Sequence, residues 1–205
     1  MSRAGAQKAW FQKAAVGLVA TVVALGVSEL AFRFFWLKRL TIPAGIQHPH
    51  FHNRLTPNHT YHFTSGEFDV KVRTNRYGLR GPDPVLPKPD GTYRILMLGD
   101  SYTFGFPVED HETFAHLTEE MLQAQGFSVE VVNGGVSSYS PTLHYISLRD
   151  QFLSFEPDLV MLWYDIGDLQ EDAWFHKNLI FDEQGRILRA DPRYIHGRYS
   201  WWEFA

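Results

Sequence analysis

The feature that most constrains this chain is a long apolar segment near its N-terminus. No charged residue occurs from Ala14 to Val27. After Ser28 and Glu29 the sequence is again mostly apolar, from Leu30 to Leu37. A helix needs about 20 mostly apolar residues to cross the hydrocarbon core of a bilayer, and this segment is long enough. The sequence therefore predicts a transmembrane helix over residues 14–37, preceded by a tail over residues 1–13.

Two charges interrupt the apolar segment near its C-terminal end. Glu29 and Arg33 are one helical turn apart, so they can pair on one helix face. Residues 34–36 (Phe-Phe-Trp) form an aromatic belt of the kind found at membrane interfaces. A cleaved signal peptide is the alternative, but its apolar region would be shorter and no small-residue cleavage site follows Leu37. We favour an uncleaved anchor.

Composition narrows the possible function classes. The net charge is -4 and no basic stripe stands out, so nothing indicates a nucleic-acid partner. The chain contains no cysteine. Disulfide bonds and cysteine metal ligands are therefore excluded, while the compartment stays open because many exported domains also lack cysteine.

Residues 40–92 form a region rich in Pro, Gly, Asn and His, with little helical pattern. Apolar and charged residues alternate from Phe68 to Arg73, which predicts a strand. Ser65-Gly66 is a turn signal, and Thr60–Thr64 is the expected partner strand. The proline-rich stretch 82–89 then acts as a stiff connector. We expect a small β-rich cap in this region.

Residues 93–205 change to an α/β pattern in which apolar runs alternate with amphipathic helices. The predicted strands are Ile95–Leu98, Val129–Val132 and Leu159–Trp163, and the predicted helices run from Glu112 to Gln125 and from Pro141 to about Phe155. This alternation indicates a parallel sheet covered by helices on both faces, a three-layer α/β/α domain. The apolar stripe of the first helix, expected in the core, comprises Phe114, Leu117, Met121 and Ala124.

Ser101 follows the first strand of this domain directly, on a Gly-Asp-Ser turn. Ligands of open α/β sheets bind at the carboxyl ends of the strands, so a serine here is well placed for chemistry. By itself the tripeptide is equally compatible with an ordinary turn whose serine caps the next segment.

Three segments resemble a known family. Residues 94–105 (Arg-Ile-Leu-Met-Leu-Gly-Asp-Ser-Tyr-Thr-Phe-Gly) are similar to the first block of SGNH/GDSL hydrolases, and residues 133–136 (Asn-Gly-Gly-Val) to the second. Residues 74–81 resemble a segment that precedes the domain in membrane-anchored bacterial members. The resemblance implies a flavodoxin-like fold, Ser101 as nucleophile, and Gly135 as the donor of an oxyanion N–H.

The chain departs from the family pattern at two places. The third block, Gly-x-Asn-Asp, has no asparagine here: if Asp168 matches its aspartate, Gly167 stands at the asparagine position. The final Asp-x-x-His block is missing, because Asp172 and His176, like Asp191 and His196, have the wrong spacing. No clear candidates exist for the fourth and fifth strands. The catalytic set is thus incomplete, and the C-terminal part of the family domain is expected to be absent.

Two functions follow from these observations. We favour a non-catalytic accessory or structural subunit of a bacterial membrane complex, a pseudoenzyme whose partners are transmembrane helices and surfaces of other subunits. Respiratory or photosynthetic complexes are plausible hosts. The alternative is an exported ester hydrolase or acyltransferase that uses Ser101, with histidine and aspartate from sequence missing here. Both place the anchor in the inner membrane and the domain in the periplasm, as in the resembling proteins.

Three further groups have less specific interpretations. A histidine-rich segment could bind zinc or copper, although solvated loop histidines are favoured; it contains His48, His50, His52, His59 and His62. Carboxylates after the third strand could hold calcium or magnesium, although a solvated loop is favoured; they are Asp165, Asp168, Glu171 and Asp172. We therefore predict no metal and no cofactor. The aromatic tail from Tyr199 to Phe204 either packs on its own domain or docks on a partner.

Overall fold

The computed structural model describes residues 3–35, 46–65 and 67–191. These residues divide into two compact units. One unit holds the N-terminal helix with residues 64, 65 and 67, and the other holds residues 46–63 and 68–191. The aromatic tail and His196 lie outside the described residues, as does Gly66 of the predicted turn.

Helix α1 runs from Arg3 to Phe35. Its portion Trp10–Phe35, 26 residues, is the one helix in the described part of the chain that is long and apolar enough to cross a membrane. The helix begins earlier than predicted because residues 3–13 are rich in Ala, Gln and Lys, which favour helix without a membrane. The expected pair is present, with Arg33 Nε 2.6 Å from Glu29 Oε1. The predicted end at Leu37 lies beyond the described residues.

Two small two-stranded sheets precede the α/β region. Strands β1 (Ile46–His48) and β2 (His52–Arg54) are antiparallel, and β3 (Thr60–Thr64) pairs with β4 (Asp69–Arg73). The predicted alternation in β4 is confirmed, since its two valines are buried and its charged residues exposed. Those valines pack with Leu55, Phe63 and Phe104, so this sheet shares a core with the α/β region.

A three-stranded parallel sheet forms the centre of the α/β region. Its strands are β5 (Tyr93–Leu98), β6 (Val129–Asn133) and β7 (Leu159–Leu162), in the order β6-β5-β7. The predicted parallel sheet is therefore confirmed. Alternate residues of β5 enter two different clusters: Leu96 and Leu98 pack on Phe155, whereas Ile95 and Met97 pack on Ala115.

The helices differ from the predictions at their ends. The serine turn opens a short helix, α2 (Ser101–Phe104). The next helix, α3 (Phe114–Ala124), begins after Glu112 because Thr113 is extended and caps it, accepting the His116 N–H. Helix α4 (Pro141–Asp150) has proline in its first turn, as predicted, but ends before Phe155; a separate 3-10 turn follows over Phe152–Phe155.

The predicted apolar stripe of α3 is wrong in part. Leu117 and Met121 are 43% and 64% exposed, whereas Ala115 and Leu122 pack against the sheet with Phe114. The helix is rotated so that its small residue faces the strands, which allows a close approach. Periodicity alone could not distinguish this rotation from the predicted one, because both faces carry apolar residues.

The chain after β7 does not extend the parallel sheet. Helix α5 (Asp168–Phe175) is followed by an antiparallel hairpin of β8 (Leu179–Phe181) and β9 (Ile187–Ala190), none of which was predicted. Ala190 of the hairpin packs with Leu143 and Ile146 of α4. Strand β7 therefore remains at one edge of the sheet. Met161 packs with the α3 cluster, but Leu159, Val160 and Leu162 stay exposed, so the predicted cover on both faces is incomplete there.

Candidate functional site

The serine turn is built by the residues between β5 and α2. Asp100 precedes the helix, and its side chain accepts the Tyr102 N–H at 2.9 Å. Gly99 has φ +158°, and a Cβ there would lie 2.0 Å from Thr103 Oγ1, so only glycine fits. These constraints place Ser101 at the carboxyl end of the central strand, where α/β domains bind ligands.

The Ser101 hydroxyl is not hydrogen-bonded to a base in the described part of the chain. The residue is partly exposed, and its hydroxyl has no hydrogen-bond partner among residues 46–65 and 67–191. Asp172 and His176 do not supply a base: the Asp172 carboxylate accepts the Thr142 N–H at 3.0 Å, and the His176 ring lies against Phe181. A serine hydroxyl without an adjacent base is a poor nucleophile.

Gly135 lies directly against the serine helix. A Cβ at this position would be 2.2 Å from the Phe104 nitrogen, so no other residue allows the backbone to approach as closely. The Gly135 N–H, however, donates to Asn133 Oδ1 at 3.0 Å. The Gly135 backbone is therefore next to the serine helix, while its N–H is engaged by the Asn133 side chain within its own loop.

Gly167 and Asp168 stand at the start of α5. Gly167 offers no side chain, and its N–H donates to Asp165 Oδ1. Asp168 is 4% exposed, and its Oδ2 accepts the Asp165 N–H at 3.0 Å. Both residues thus close the loop between β7 and α5, and neither offers a side-chain donor for an oxyanion.

Asp168 and Glu171, two of the four carboxylates that the sequence grouped after β7, lie within electrostatic reach of Asp100, which the sequence did not include in the group. Burial raises the pKa of Asp168, and the negative charges of Asp100 and Asp165 raise it further. Burial also raises the pKa of Glu171 to about 7, with added effects from the other three carboxylates. We call Asp100, Asp165, Asp168 and Glu171 the acidic cluster. No Lys or Arg in the described part of the chain forms an ion pair with it.

The histidines of the segment that could have bound zinc or copper contact different partners rather than a common one. His48 stacks on Phe51, His62 pairs with Asp69, and His59 lies edge-on to Tyr61. Within the described ranges no group of three or more His, Asp or Glu side chains is arranged to hold a metal ion.

Arg80 is the residue at this site that sequence reasoning missed. It is 3% exposed, and its guanidinium donates to the carbonyls of Phe104 (3.0 Å) and Gly105 (2.6 Å) and to Asp110 Oδ1 (2.8 Å). These bonds hold the C-terminal end of α2. The signal was its place in residues 74–81, the segment noted for its resemblance, but the sequence could not identify the carbonyls that it binds.

Strand β7, at the edge of the sheet, is unusually exposed. Three of its four residues are exposed: Leu159 (39%), Val160 (37%) and Leu162 (47%). The apolar surface continues beyond the strand through Trp163, Tyr164, Ile166 and Leu169, which are 49–86% exposed. We call these seven residues the β7 patch. Strands of parallel sheets are normally buried on both faces, so this exposure is unusual, and a contiguous apolar patch on a surface is a candidate interaction site.

The opposite edge of the sheet is protected by the chain itself. Glu119 Oε2 accepts the outward N–H of Val131 at 2.6 Å, and Gln123 Nε2 donates to the outward carbonyl of Val129 at 3.0 Å. Side chains that occupy edge groups in this way prevent the addition of a further strand. The β6 edge is therefore capped by side chains of α3, whereas the β7 edge is exposed.

Comparison of the sequence with models of known protein families and with curated proteins found no match. The similarity to SGNH/GDSL hydrolases thus rests on the residues of the serine turn, the Gly135 loop and the segment 74–81.

Proposed function

We propose that this chain is a membrane-anchored, non-catalytic accessory subunit built on an SGNH-like domain. The observation that carries the proposal is strand β7, which is apolar on both faces and exposed on both. Helix α1 would hold the chain in the bacterial inner membrane with the domain in the periplasm, and the β7 patch would pack on another subunit of the same complex.

The SGNH-like lineage is supported by the position of the serine turn. Ser101 follows the central strand of a parallel sheet with the order β6-β5-β7. Gly135 follows the neighbouring strand and contacts the serine helix through its backbone. A flavodoxin-like domain has this order in its first three strands.

The absence of catalysis is supported by how the expected groups are used. Ser101 has no base among the described residues, and the Gly135 N–H is already bonded to Asn133. Gly167 carries no donor side chain. Loss of a single oxyanion donor reduces catalysis about 10²–10³-fold, and loss of the base has a larger effect.

Co-purification tests the accessory role. The tagged full chain would be expressed in its host, extracted in a mild detergent and sized by native electrophoresis. We expect it to migrate with a larger complex, and Leu162→Asp to release it. Ile166→Asp is a second variant at an 86% exposed position, where folding is little affected. Leu153→Asp, at a 55% exposed leucine outside the patch, is the matched control. A wild-type chain that migrates alone would refute the proposal.

The second candidate is an exported ester hydrolase or acyltransferase. It is favoured by the close fit of Gly135 against the helix that carries a partly exposed Ser101. In that reaction Ser101 Oγ would attack an acyl carbonyl, and a base outside the described residues would take the hydroxyl proton and return it to the departing alcohol. Water or a second hydroxyl would then take the acyl group from Ser101. A fluorophosphonate probe decides between the two functions. Strong labelling of the full chain that is lost in Ser101→Ala would establish the hydrolase and overturn the accessory role.

A further inference from the structure

The backbone of β7 presents unpaired groups to its open side. Asp158 donates its N–H to the Arg94 carbonyl of β5. Residues of a strand alternate in the direction of their backbone groups, so Leu159 and Met161 face away from β5. No side chain or backbone group in the described ranges bonds to the outward N–H and C=O of these two residues. Such a row of groups is a template for another strand.

Apolar side chains of β7 remain exposed on both faces of the sheet, although Met161 packs with the α3 cluster. Leu159 is in register with Ile95 and therefore lies on the α3 face, whereas Val160 is in register with Leu96 and lies on the opposite face. Leu159 and Val160 are exposed by 39% and 37%. An incoming strand with apolar residues at successive positions, rather than at alternate ones, would cover both faces.

The carboxyl end of β7 adds a requirement for charge. Three carboxylates of the acidic cluster follow β7 in the chain, and the fourth, Asp100, follows β5. No described Lys or Arg forms an ion pair with the cluster. The pKa of Glu171 is raised because burial and its neighbours disfavour its charge. A positive group next to the cluster would relieve this repulsion. The incoming segment should therefore carry a basic residue at this end.

A second copy of this chain does not meet that requirement. If two β7 strands paired antiparallel about a two-fold axis, the carboxyl end of each would lie beside the amino end of the other. The residues at that end are Glu156 and Asp158, and the nearby Lys88 is already paired with Asp158, at 2.7 Å. The acidic cluster would then face further carboxylates rather than free cations.

We infer that β7 receives an extended apolar strand from a different polypeptide, which places a lysine or arginine beside the acidic cluster. This inference rests on the proposed accessory role and specifies the chemistry of the partner. The backbone of β7 supplies hydrogen bonds, and the β7 patch supplies apolar contact. The acidic cluster fixes the orientation of the incoming strand, because the basic residue of that strand must lie beside the cluster.

The absence of cysteine allows a site-specific test. Val160→Cys and the control Leu153→Cys each create the only thiol in the chain. In native membranes we expect maleimide to label Val160→Cys at least about tenfold more slowly than Leu153→Cys. This follows if Val160 is uncovered in about a tenth of the molecules or fewer, because only the uncovered thiol reacts. Asp165→Asn with Glu171→Gln should restore labelling, whereas Glu183→Gln, at an exposed carboxylate of the hairpin, should not.

The alternatives give different results. Fast labelling of Val160→Cys in a chain that still co-purifies with a complex would overturn the inference and leave the accessory role standing. A chain that migrates alone would overturn the accessory role itself. A disulfide-linked dimer of Val160→Cys would indicate a second copy as the occupant. Protection that persists in the isolated, purified chain would indicate that the chain covers β7 with its own residues. Each of these last two results would also overturn the inference.

Discussion

Lowering the pH from neutrality to about 4 should destabilise the α/β region through the imidazole of His144. This side chain lies in α4 and is 2% exposed, and neither ring nitrogen has a hydrogen-bond partner among the described residues. Its ring neighbour is Tyr139, with the centroids 5.2 Å apart. Burial disfavours the charged form and lowers the pKa of His144 from 6.5 to about 4.

The magnitude follows from proton linkage. Between pH 6.5 and about 4 the unfolded chain binds a proton at His144 that the folded chain does not. Each pH unit of such a difference is worth about 1.4 kcal/mol, so the contribution reaches about 3 kcal/mol. The contribution of His144 to the free energy of unfolding is greatest above pH 6.5, falls as the pH falls, and stops falling near the pKa of His144 in the folded chain.

Glu171 titrates with the opposite sign and must be separated from His144. Its pKa is raised from 4.5 to about 7, so the folded chain retains a proton that the unfolded chain loses in that window. This favours folding as the pH falls. The measurement is therefore the difference between wild type and His144→Leu in the free energy of unfolding. It is obtained from urea titrations of the full chain in detergent, followed by near-UV circular dichroism.

We expect this difference to be constant above pH 7 and to move by about 3 kcal/mol in favour of the variant towards pH 4. His111→Leu is the control, because it removes an imidazole from the exposed surface rather than from the interior. A difference that does not change with pH would refute the reasoning, because it would show that His144 is charged as readily in the fold as in the unfolded chain.

Three other predictions concern the serine turn and the protected sheet edge. Gly135→Ala should lower the free energy of unfolding by about 1–3 kcal/mol, since its Cβ would lie 2.2 Å from the Phe104 nitrogen; an unchanged urea midpoint would contradict this. Arg80→Met should cost about 2 kcal/mol or more by leaving buried carbonyls unpaired, whereas Arg76→Met, at an exposed ion pair, should cost under about 1 kcal/mol. Glu119→Ala should expose the β6 edge and cause concentration-dependent association, measured by light scattering; a monodisperse variant would count against the protective role.

The local features were predictable because they depend on residues close together in the chain. The apolar segment identified α1, and the Glu29–Arg33 pair follows from helical spacing. The alternation in β4 and the apolar runs of β5 and β6 identified strands and a parallel sheet. The helix ends were less accurate, since the capping role of Thr113 was visible only in the fold.

The use of the site residues was not predictable in the same way. The motif placed Ser101 and Gly135 in neighbouring turns, but the bond from the Gly135 N–H to Asn133 depends on a side-chain rotamer. Arg80 binds carbonyls 24 and 25 residues further along the chain. No local pattern specifies such partners, because they are decided by how β6, α2 and the preceding segment meet.

By itself, the sequence determined the long apolar helix, the parallel sheet and the position of the serine turn, because each depends on local periodicity or on a short motif. Only the tertiary structure decided which surfaces stay exposed. The apolar run of β7 predicts a buried strand, and it is exposed because the hairpin of β8 and β9 packs on α4 instead of beside it. Burial depends on segments far apart in the chain, so an apolar strand can specify its need for cover without specifying what supplies it.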